Sequence, residues 1–333
     1  MKYINFGTSK NVSVLALGGL HFGVFMSQEE TKHLIFFAKD NGINFIDTSP
    51  IYGSGNSESI IGKSIKNFRK DFFIATKVGL KKVINKQGNF GVEVYPLTKK
   101  NIIGSVDNSL KCLKTDYIDL LQLHTYDKET DLYETLDALY ELKKTGKALN
   151  FGFCNYSNGN QVYDLVTKAK NIGVTFASCQ LHYNLIEKRA EDELIPAFKK
   201  NDIMLLTHHS LARGILTGKY LPNKPIPEGS RASISERVSR WLLPDVLNFM
   251  QDLKKLSESI NCSTTSFVIN WLVNNENVSG ILVGARDKNQ LKQIIKGVDE
   301  KIIKDKFSLI DKLIRKNNLL KYTKEMPLWF QEK

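Results

Sequence analysis

The sequence predicts an α/β protein in which eight strands, each followed by a helix, close into a (β/α)8 barrel. Two observations favour this fold class. Short apolar runs recur along the chain, and most are apolar throughout, which is typical of parallel strands buried on both faces. Amphipathic, helix-like segments lie between the runs. A chain of 333 residues with 42% hydrophobic content can form one large barrel domain over residues 1–333.

The predicted strands are spaced widely enough to leave room for a helix between neighbours. They are VLALGG (14–19), INFIDT (43–48), FFIATK (72–77), YIDLLQLH (117–124), ALNFGFCN (148–155), TFASCQ (175–180), IMLLTHH (203–209) and GILVGA (280–285).

The first predicted helix carries clear start and stop signals. Ser27 is the expected N-cap, Glu30 stands three residues on as in a capping box, and Asn41-Gly42 is the expected stop. Similar segments follow at TKKNIIGSVDNSLKCL (98–113), ETLDALYELKKTGK (134–147) and NGNQVYDLVTKAKNIG (158–173), the last ending in Gly173.

Three segments exceed what simple connections need. They are 81–97, 215–240 and an additional helix with a tail from about residue 300 onward. In a barrel such additions usually shape the substrate pocket, and we expect the same here.

A doubly wound open sheet is the alternative fold. It would bind a dinucleotide through G-x-G-x-x-G after its first strand. The candidate stretches GGLHFG and GSGNSE both lack this spacing, and no P-loop is present. The barrel therefore remains the favoured interpretation.

The composition narrows the classes of partner. The net charge is +12, but the lysines are spread beside Glu and Asp at helix-like spacing, which indicates a solvated surface rather than a nucleic-acid interface. No apolar stretch approaches the roughly 20 residues of a membrane helix, and the start lacks an apolar signal region. The cysteines are scattered, which suits reduced thiols and a cytoplasmic location; they are Cys112, Cys154, Cys179 and Cys262.

Ionisable residues stand at the carboxyl ends of three successive predicted strands, where barrel chemistry takes place. Asp47, Lys77 and His124 occupy these ends, and Tyr52 lies in the loop after Asp47. A phenol with a pKa of ~10 is a weak acid at neutral pH. A lysine ammonium ~4 Å away would lower that pKa by as much as about three, before desolvation is subtracted. We therefore expect Tyr52 to donate a proton to a carbonyl oxygen.

The other members of this group have supporting roles in that hypothesis. Asp47 would hold Lys77 charged and in place, and the His124 ring N–H could orient the carbonyl. Each residue alone also has an ordinary structural explanation; Asp47, for example, could form an Asx turn. Only their coincidence on neighbouring strand ends favours catalysis.

Several long motifs surround these residues. They are INFIDTSPIYGSGNSESIIGKSI, FFIATKVG, NSLKCLKTDYIDLLQLH, GFCNYS, QLHYNLIEK, SLARGILTGKY and GILVGARDKNQ. Through these motifs the sequence resembles the aldo-keto reductase family over roughly residues 1–296. The resemblance implies a barrel preceded by a β-hairpin, in KYINFGTSKNVSVL, and metal-free reduction of aldehydes and ketones by NADPH. It also implies the catalytic set Tyr52, Lys77, Asp47 and His124.

The resemblance also implies cofactor contacts, residue by residue. Asn155 and Gln180 match residues that bind the nicotinamide carboxamide, and Arg286 and Gln290 match positions at the adenosine 2′-phosphate. A guanidinium there favours NADP over NAD. The loop at the pyrophosphate supplies Ser210, Leu211, Gly214 and Leu216, with Lys219 near it, and the further cofactor positions are Gly19, Asp47, His209 and Gly284.

Several residues depart from the family pattern. Cys154 replaces a serine at the carboxamide, and His209 replaces the aromatic ring that stacks on the nicotinamide. Leu211 and Val283 replace prolines, and Gln293-Ile294 replaces a Glu-Asn pair at the adenine. The catalytic positions are unaffected.

Other functions compete with carbonyl reduction. A metal-dependent hydrolase needs clustered ligands, but among the six histidines only His208 and His209 are adjacent, and neighbours on a strand face opposite ways, so no metal is expected. An NADPH-binding regulatory subunit, like the potassium-channel β subunits of the family, is a second alternative. The expected substrate is a small carbonyl compound, with a keto-sugar, nucleotide sugar or phosphorylated sugar as alternatives that the basic surface would suit. The sequence leaves the oligomeric state open.

Overall fold

The computed structural model describes residues 1–7, 9–84, 90–302 and 305–321. Its centre is a closed barrel of eight parallel strands, so the predicted fold class is confirmed. The described strands are β1 (Tyr3–Phe6), β2 (Ser9–Ser13), β3 (Leu15–Gly18), β4 (Phe45–Asp47), β5 (Phe73–Val78), β6 (Leu80–Ile84), β7 (Phe90–Val94), β8 (Ile118–Leu123), β9 (Ala148–Cys154), β10 (Phe176–His182), β11 (Met204–His208) and β12 (Gly280–Val283). Around the barrel the order is β3-β4-β5-β8-β9-β10-β11-β12, and β12 pairs with β3 to close it.

Helices surround the barrel. The described helices are α1 (Gln28–Asp40), α2 (Ser57–Ile65), α3 (Lys99–Leu113), α4 (Leu132–Lys144), α5 (Gly159–Ile172), α6 (Leu194–Lys200), α7 (Glu236–Ser239), α8 (Pro244–Glu258), α9 (Thr264–Val273), α10 (Lys288–Asp299) and α11 (Asp305–Lys316).

Local signals set the ends of the predicted helices. The Ser27 side chain accepts from the Glu30 backbone N–H, and the Glu30 carboxylate accepts from the Ser27 N–H, which confirms the capping box of α1. Helix α5 ends at Gly173 with φ of 81°, as predicted. Helix α4 begins two residues before the predicted segment, because the Asp131 side chain caps it by accepting from the Tyr133 N–H.

The amino-terminal hairpin β1–β2 is present, as the family resemblance implied. Its Phe6 is fully buried and packs against Phe45 of β4 and Phe73 of β5, with ring centroids 6.1 and 5.0 Å away. Because both partners stand at the starts of their strands, the hairpin closes the amino-terminal end of the barrel. The opposite, carboxyl end is left for the site.

The long segments contribute structure at that carboxyl end. Segment 81–97 contains most of the hairpin β6–β7, and Lys82 Nζ donates to the Ser54 carbonyl at 3.0 Å, beside the loop of Tyr52. Residues 85–89 of this segment, like the predicted tail at 322–333, lie outside the described residues. The predicted additional helix is α11. In the described part of the chain, no helix combines the length and apolarity needed to cross a membrane.

Candidate active site

The four predicted catalytic residues lie together at the carboxyl end of the barrel. Asp47 is the last residue of β4, Lys77 lies near the end of β5, and His124 directly follows β8. Lys77 Nζ lies 2.6 Å from Asp47 Oδ1 and 4.6 Å from the centroid of the Tyr52 ring. The rings of Tyr52 and His124 meet edge to face, with centroids 5.8 Å apart. Parallel strands thus bring together side chains that are far apart in the sequence.

The backbone turn that begins at Tyr52 depends on glycine. Gly53 has φ of 58°, and a Cβ at this position would lie 1.8 Å from the carbonyl oxygen of Phe22. Any side chain there would displace one of the two loops. The Gly-rich stretch after Tyr52 is therefore required to hold the phenol against Lys77 and His124.

The ion pair of Lys77 and Asp47 is buried, with the two residues 0% and 1% exposed. Such a pair is tolerated only when its remaining hydrogen-bonding groups are satisfied. Lys77 also donates to the Thr48 carbonyl at 3.0 Å. The second Asp47 oxygen accepts from the amides of Gln122 and Gln180 at 3.0 and 2.9 Å. This network fixes the lysine under the Tyr52 ring.

Gln122 was missed by the sequence reasoning. It pairs in register with Lys77 on the neighbouring strand, and its side-chain amide reaches Asp47. The available signal was one amide within the otherwise apolar run LLQL of β8, at a position that alternation turns toward the barrel interior. Gln180 was expected to bind the nicotinamide. Its side-chain amide nitrogen instead donates to Asp47 Oδ2 and to Gln122 Oε1.

The sequence reasoning predicted a lowered pKa for Tyr52, and the fold reverses that direction. Burial is the largest influence and raises the pKa of Tyr52 to about 12, although the charge of Lys77 lowers it in part. The desolvation penalty on the phenolate therefore exceeds the attraction of the Lys77 ammonium. For Lys77, burial is the largest single influence and lowers the pKa, but the charges of Asp47, Tyr52 and Cys154 and the hydrogen bond to Asp47 together outweigh it, so the net pKa is raised. Lys77 therefore stays protonated at neutral pH.

His124 is a neutral imidazole at neutral pH. Burial, followed by the charge of Lys77, holds the pKa of His124 well below its usual range. Its Nδ1 lies 3.4 Å from Ser49 Oγ, and its backbone carbonyl accepts from Asn155 Nδ2 at 2.9 Å. A neutral ring carries one N–H, which can hydrogen-bond a carbonyl oxygen placed beside Tyr52.

A pocket of about 560 Å³ opens beside this group, and both Tyr52 and Asp47 belong to its wall. Most of the residues predicted to bind the cofactor line it as well. They are Gln180, His209, Ser210, Leu211, Gly214, Lys219, Gly284, Arg286 and Gln290.

Three predicted cofactor residues lie outside the lining of that pocket. Gly18 lines it in place of Gly19. Leu216 is fully buried in the hydrophobic core, so its side chain is directed away from the pocket. Asn155 lies behind the wall, where its Oδ1 is 3.3 Å from Nε2 of His208.

The lining of the pocket is strongly cationic. Arg213, Lys219, Arg231 and Arg286 all line it, and Glu228 is the acidic residue beside them. Both Arg231 and Arg286 line the pocket, and burial, followed by the charge of Arg286, lowers the pKa of Arg231. Four cationic side chains in the lining of one pocket indicate a site for an anion such as a phosphate.

Arg231 was missed because its loop, within the long segment 215–240, carries no strand or helix pattern. The loop is connected to Arg286, whose Nη1 donates to the Gly229 carbonyl at 3.0 Å. His21 lies nearby; burial, then Arg231 and Arg286, lower the pKa of His21 to about 4. Its buried Nδ1 has no hydrogen-bond partner among the described residues. The cations and the pocket volume fit a phosphate-bearing dinucleotide.

The histidines behave differently from the sequence prediction. His208 and His209 were expected to face opposite ways, but together with His182 they place ring nitrogens within 4.8 Å of one another. The expectation failed because β11 ends at His208, and His209 has left the strand with φ of 53°. Alternation between faces holds only while the backbone stays extended.

Comparison with known proteins agrees with this geometry. The family model described as Aldo/keto reductase family matches residues 14–315. A protein of Arabidopsis thaliana named probable voltage-gated potassium channel subunit beta is 31% identical over 310 residues, covering 90% of this chain and 92% of that protein. Aldo-keto reductase YhdN of Bacillus subtilis (strain 168) is 31% identical over 284 residues, with 84% and 81% covered. The structure of glycerol dehydrogenase AKR11B4 from Gluconobacter oxydans has a TM-score of 0.81 and 27% identity, with 93% and 94% covered.

Proposed function

The chain belongs to the aldo-keto reductase family, and from that premise we propose that it reduces an aldehyde or ketone to an alcohol with NADPH. The observation that carries the proposal is the contact between Tyr52 and the buried Lys77–Asp47 pair, at the edge of a cationic pocket. An acid beside a lysine suits proton transfer to oxygen, and the cations suit an anionic cofactor.

Each member of the group has a role in the proposed reaction. A nicotinamide cofactor bound in the pocket would supply a hydride to the carbonyl carbon. Tyr52 gives its phenolic proton to the carbonyl oxygen, and Lys77 stabilises the phenolate that remains. Asp47 keeps Lys77 charged and fixed, and the neutral His124 donates a hydrogen bond that orients the carbonyl.

The proposed preference for NADPH over NADH rests on two guanidinium groups in the pocket lining. Arg286 lies near Arg231, and both line the pocket. A phosphate monoester at this end can accept charge-assisted, bidentate hydrogen bonds that a ribose hydroxyl cannot match. We infer that the additional phosphate of NADPH is recognised here.

A regulatory role is the second candidate function, because two relatives at 31% and 30% identity carry the name probable voltage-gated potassium channel subunit beta. In that case the barrel would bind the cofactor and regulate a partner. The two functions differ in turnover: a reductase consumes one NADPH for each carbonyl reduced, whereas a purely regulatory subunit consumes none.

The proposal is tested by following NADPH absorbance with a panel of carbonyl compounds. The panel should contain small aldehydes, ketones, keto-sugars, nucleotide sugars and phosphorylated sugars. It should also contain glycerol with NADP⁺, because a structural neighbour is a glycerol dehydrogenase. We expect turnover of at least one compound and a lower Kd for NADPH than for NADH. Absence of turnover together with tight NADPH binding would favour the regulatory role.

A further inference from the structure

We propose that His182, His208 and His209 form a binding site for a transition-metal dication such as Zn²⁺, and that the bound ion inhibits the enzyme by obstructing its cofactor pocket. The inference starts from the grouping of the imidazole nitrogens within 4.8 Å of one another. The obstruction follows from the position of His208 and His209 in the pocket wall.

The three imidazole rings lie side by side, so side-chain rotation would have to bring their nitrogens onto one ion. The ring of His182 lies 4.4 Å, between centroids, from the rings of both His208 and His209, and the last two are 5.0 Å apart. Zinc–nitrogen bonds are about 2.0–2.1 Å long, so ligand nitrogens around one ion lie closer together than those found here. Rotation about the side-chain torsions can supply this approach.

The donor atoms of the cluster suit a transition-metal dication of intermediate hardness. The cluster offers only imidazole nitrogens, which suit Zn²⁺, Cu²⁺ and Ni²⁺, whereas Mg²⁺ and Ca²⁺ prefer oxygen ligands.

The surroundings limit the affinity but leave an entry path. All three residues are only partly buried, and the pocket gives access from solvent. Arg213 lies close enough to lower the pKa of all three imidazoles, and its charge also opposes a cation. The charge of Lys77 is largely compensated by Asp47 at 2.6 Å. Three protein ligands leave a fourth position for water, which is typical of accessible rather than structural zinc sites.

The first experiment measures metal binding to the cofactor-free protein, after chelator treatment and removal of the chelator. Calorimetric titration with ZnCl₂ should give one ion per chain, and titration with MgCl₂ should give none. His182→Gln and His208→Gln should each weaken zinc binding by about tenfold or more. Loss of a residue that only hydrogen-bonds a metal ligand already lowers metal affinity by about that factor, and loss of a ligand should lower it at least as much. His33→Gln, which changes an exposed histidine paired with Glu29, should leave zinc binding unchanged.

The outcome of that titration decides whether the proposed metal site exists. Absence of zinc binding, or equal affinity in the wild type and in both cluster variants, would overturn it. Two separate variants are used so that misfolding of one, seen as a lost melting transition, leaves the other to decide.

The second experiment tests inhibition, which rests on the proposed function. Saturating zinc should raise the Kd for NADPH, measured by fluorescence, in the wild type and not in His182→Gln. Simultaneous binding without mutual effect would overturn the inhibitory role. Failure of NADPH to bind the metal-free protein would contradict the proposed function and the inhibition together, whereas the zinc site would still be judged by the first titration.

Discussion

At the scale of single residues, the site depends on a buried polar layer inside an apolar barrel. The sequence predicted Asp47 and Lys77 because each follows or ends an apolar run. It did not predict that Gln122 and Gln180 would saturate the second carboxylate oxygen, because strand register is a tertiary property. It also could not supply the desolvation of Tyr52, which outweighs the charge of Lys77, because burial depends on neighbours in space.

The Lys77–Asp47 pair gives a prediction about stability. Lys77→Met leaves the Asp47 carboxylate buried with only neutral donors, so we expect the free energy of unfolding to fall by about 3–5 kcal/mol. Adding Asp47→Asn removes the buried carboxylate charge that Lys77→Met leaves without a cation. The double variant should therefore recover part of the lost unfolding free energy. Denaturant unfolding of the wild type, both single variants and the double variant measures this. If the loss of unfolding free energy in the double variant equalled the sum of the two single losses, Lys77 and Asp47 would not stabilise each other.

The cationic end of the pocket gives a prediction about cofactor choice. Arg286→Ala should raise the Kd for NADPH about tenfold or more, because a hydrogen bond to a charged group contributes about 1.5–3 kcal/mol. The Kd for NADH should barely change. Fluorescence titration with both cofactors measures the effect, with Arg240→Ala, an arginine that packs on Trp241, as the matched control. An equal loss for both cofactors would place Arg286 away from the additional phosphate.

At the scale of elements, what could be predicted from the sequence was local. All eight barrel strands lie within the predicted apolar runs or extend them by one or two residues. The caps of α1 and α5 were predicted from the residues that form them. Helix α9 was missed because nearly all its residues are buried, so it has little polar face to reveal a helical period.

The capping box of α1 gives a prediction about stability. Ser27→Ala removes the acceptor for the Glu30 N–H and should lower the free energy of unfolding by about 0.5–2 kcal/mol. Ser27→Thr keeps a hydroxyl and should cost much less. Unfolding curves of both variants test this, and equal losses would show that the hydroxyl is not what stabilises this helix start.

At the scale of the whole molecule, the pocket joins segments that no sequence window contains. Asp47, Arg231 and Arg286 come from three separate parts of the chain and line one cavity. Closure of the barrel determines this proximity, and the loop backbone determines the direction of each side chain. The histidine cluster escaped prediction for the same reason.

The partly buried His21, whose pKa is lowered by these arginines, makes stability depend on pH. The pKa of His21 is lowered to about 4 by burial, Arg231 and Arg286, whereas in the unfolded chain it is near 6.5. Between these values the unfolded state binds the additional proton, so the His21 contribution to stability is lost as pH falls from 6.5 toward 4.

We expect His21→Gln to flatten the slope of unfolding free energy against pH in this window, by up to about 1.4 kcal/mol per pH unit. Reversible denaturant unfolding at several pH values measures the slope. His33→Gln, at an exposed histidine, is the control. Parallel curves for His21→Gln and the wild type would show that His21 is not held neutral in the fold.

Tyr52 is proposed to be the acid of an NADPH-dependent carbonyl reduction, and the variant Tyr52→Phe tests this most directly. Two quantities are measured for the variant: kcat with the substrate found in the panel, and the Kd for NADPH. The change removes only the phenolic hydroxyl. We expect kcat to fall by about 10²–10⁴, the contribution of general acid catalysis, while the Kd for NADPH and the melting temperature stay close to wild type. Tyr163→Phe, at a tyrosine that is 62% exposed, should behave as wild type. Undiminished kcat in Tyr52→Phe would contradict the account.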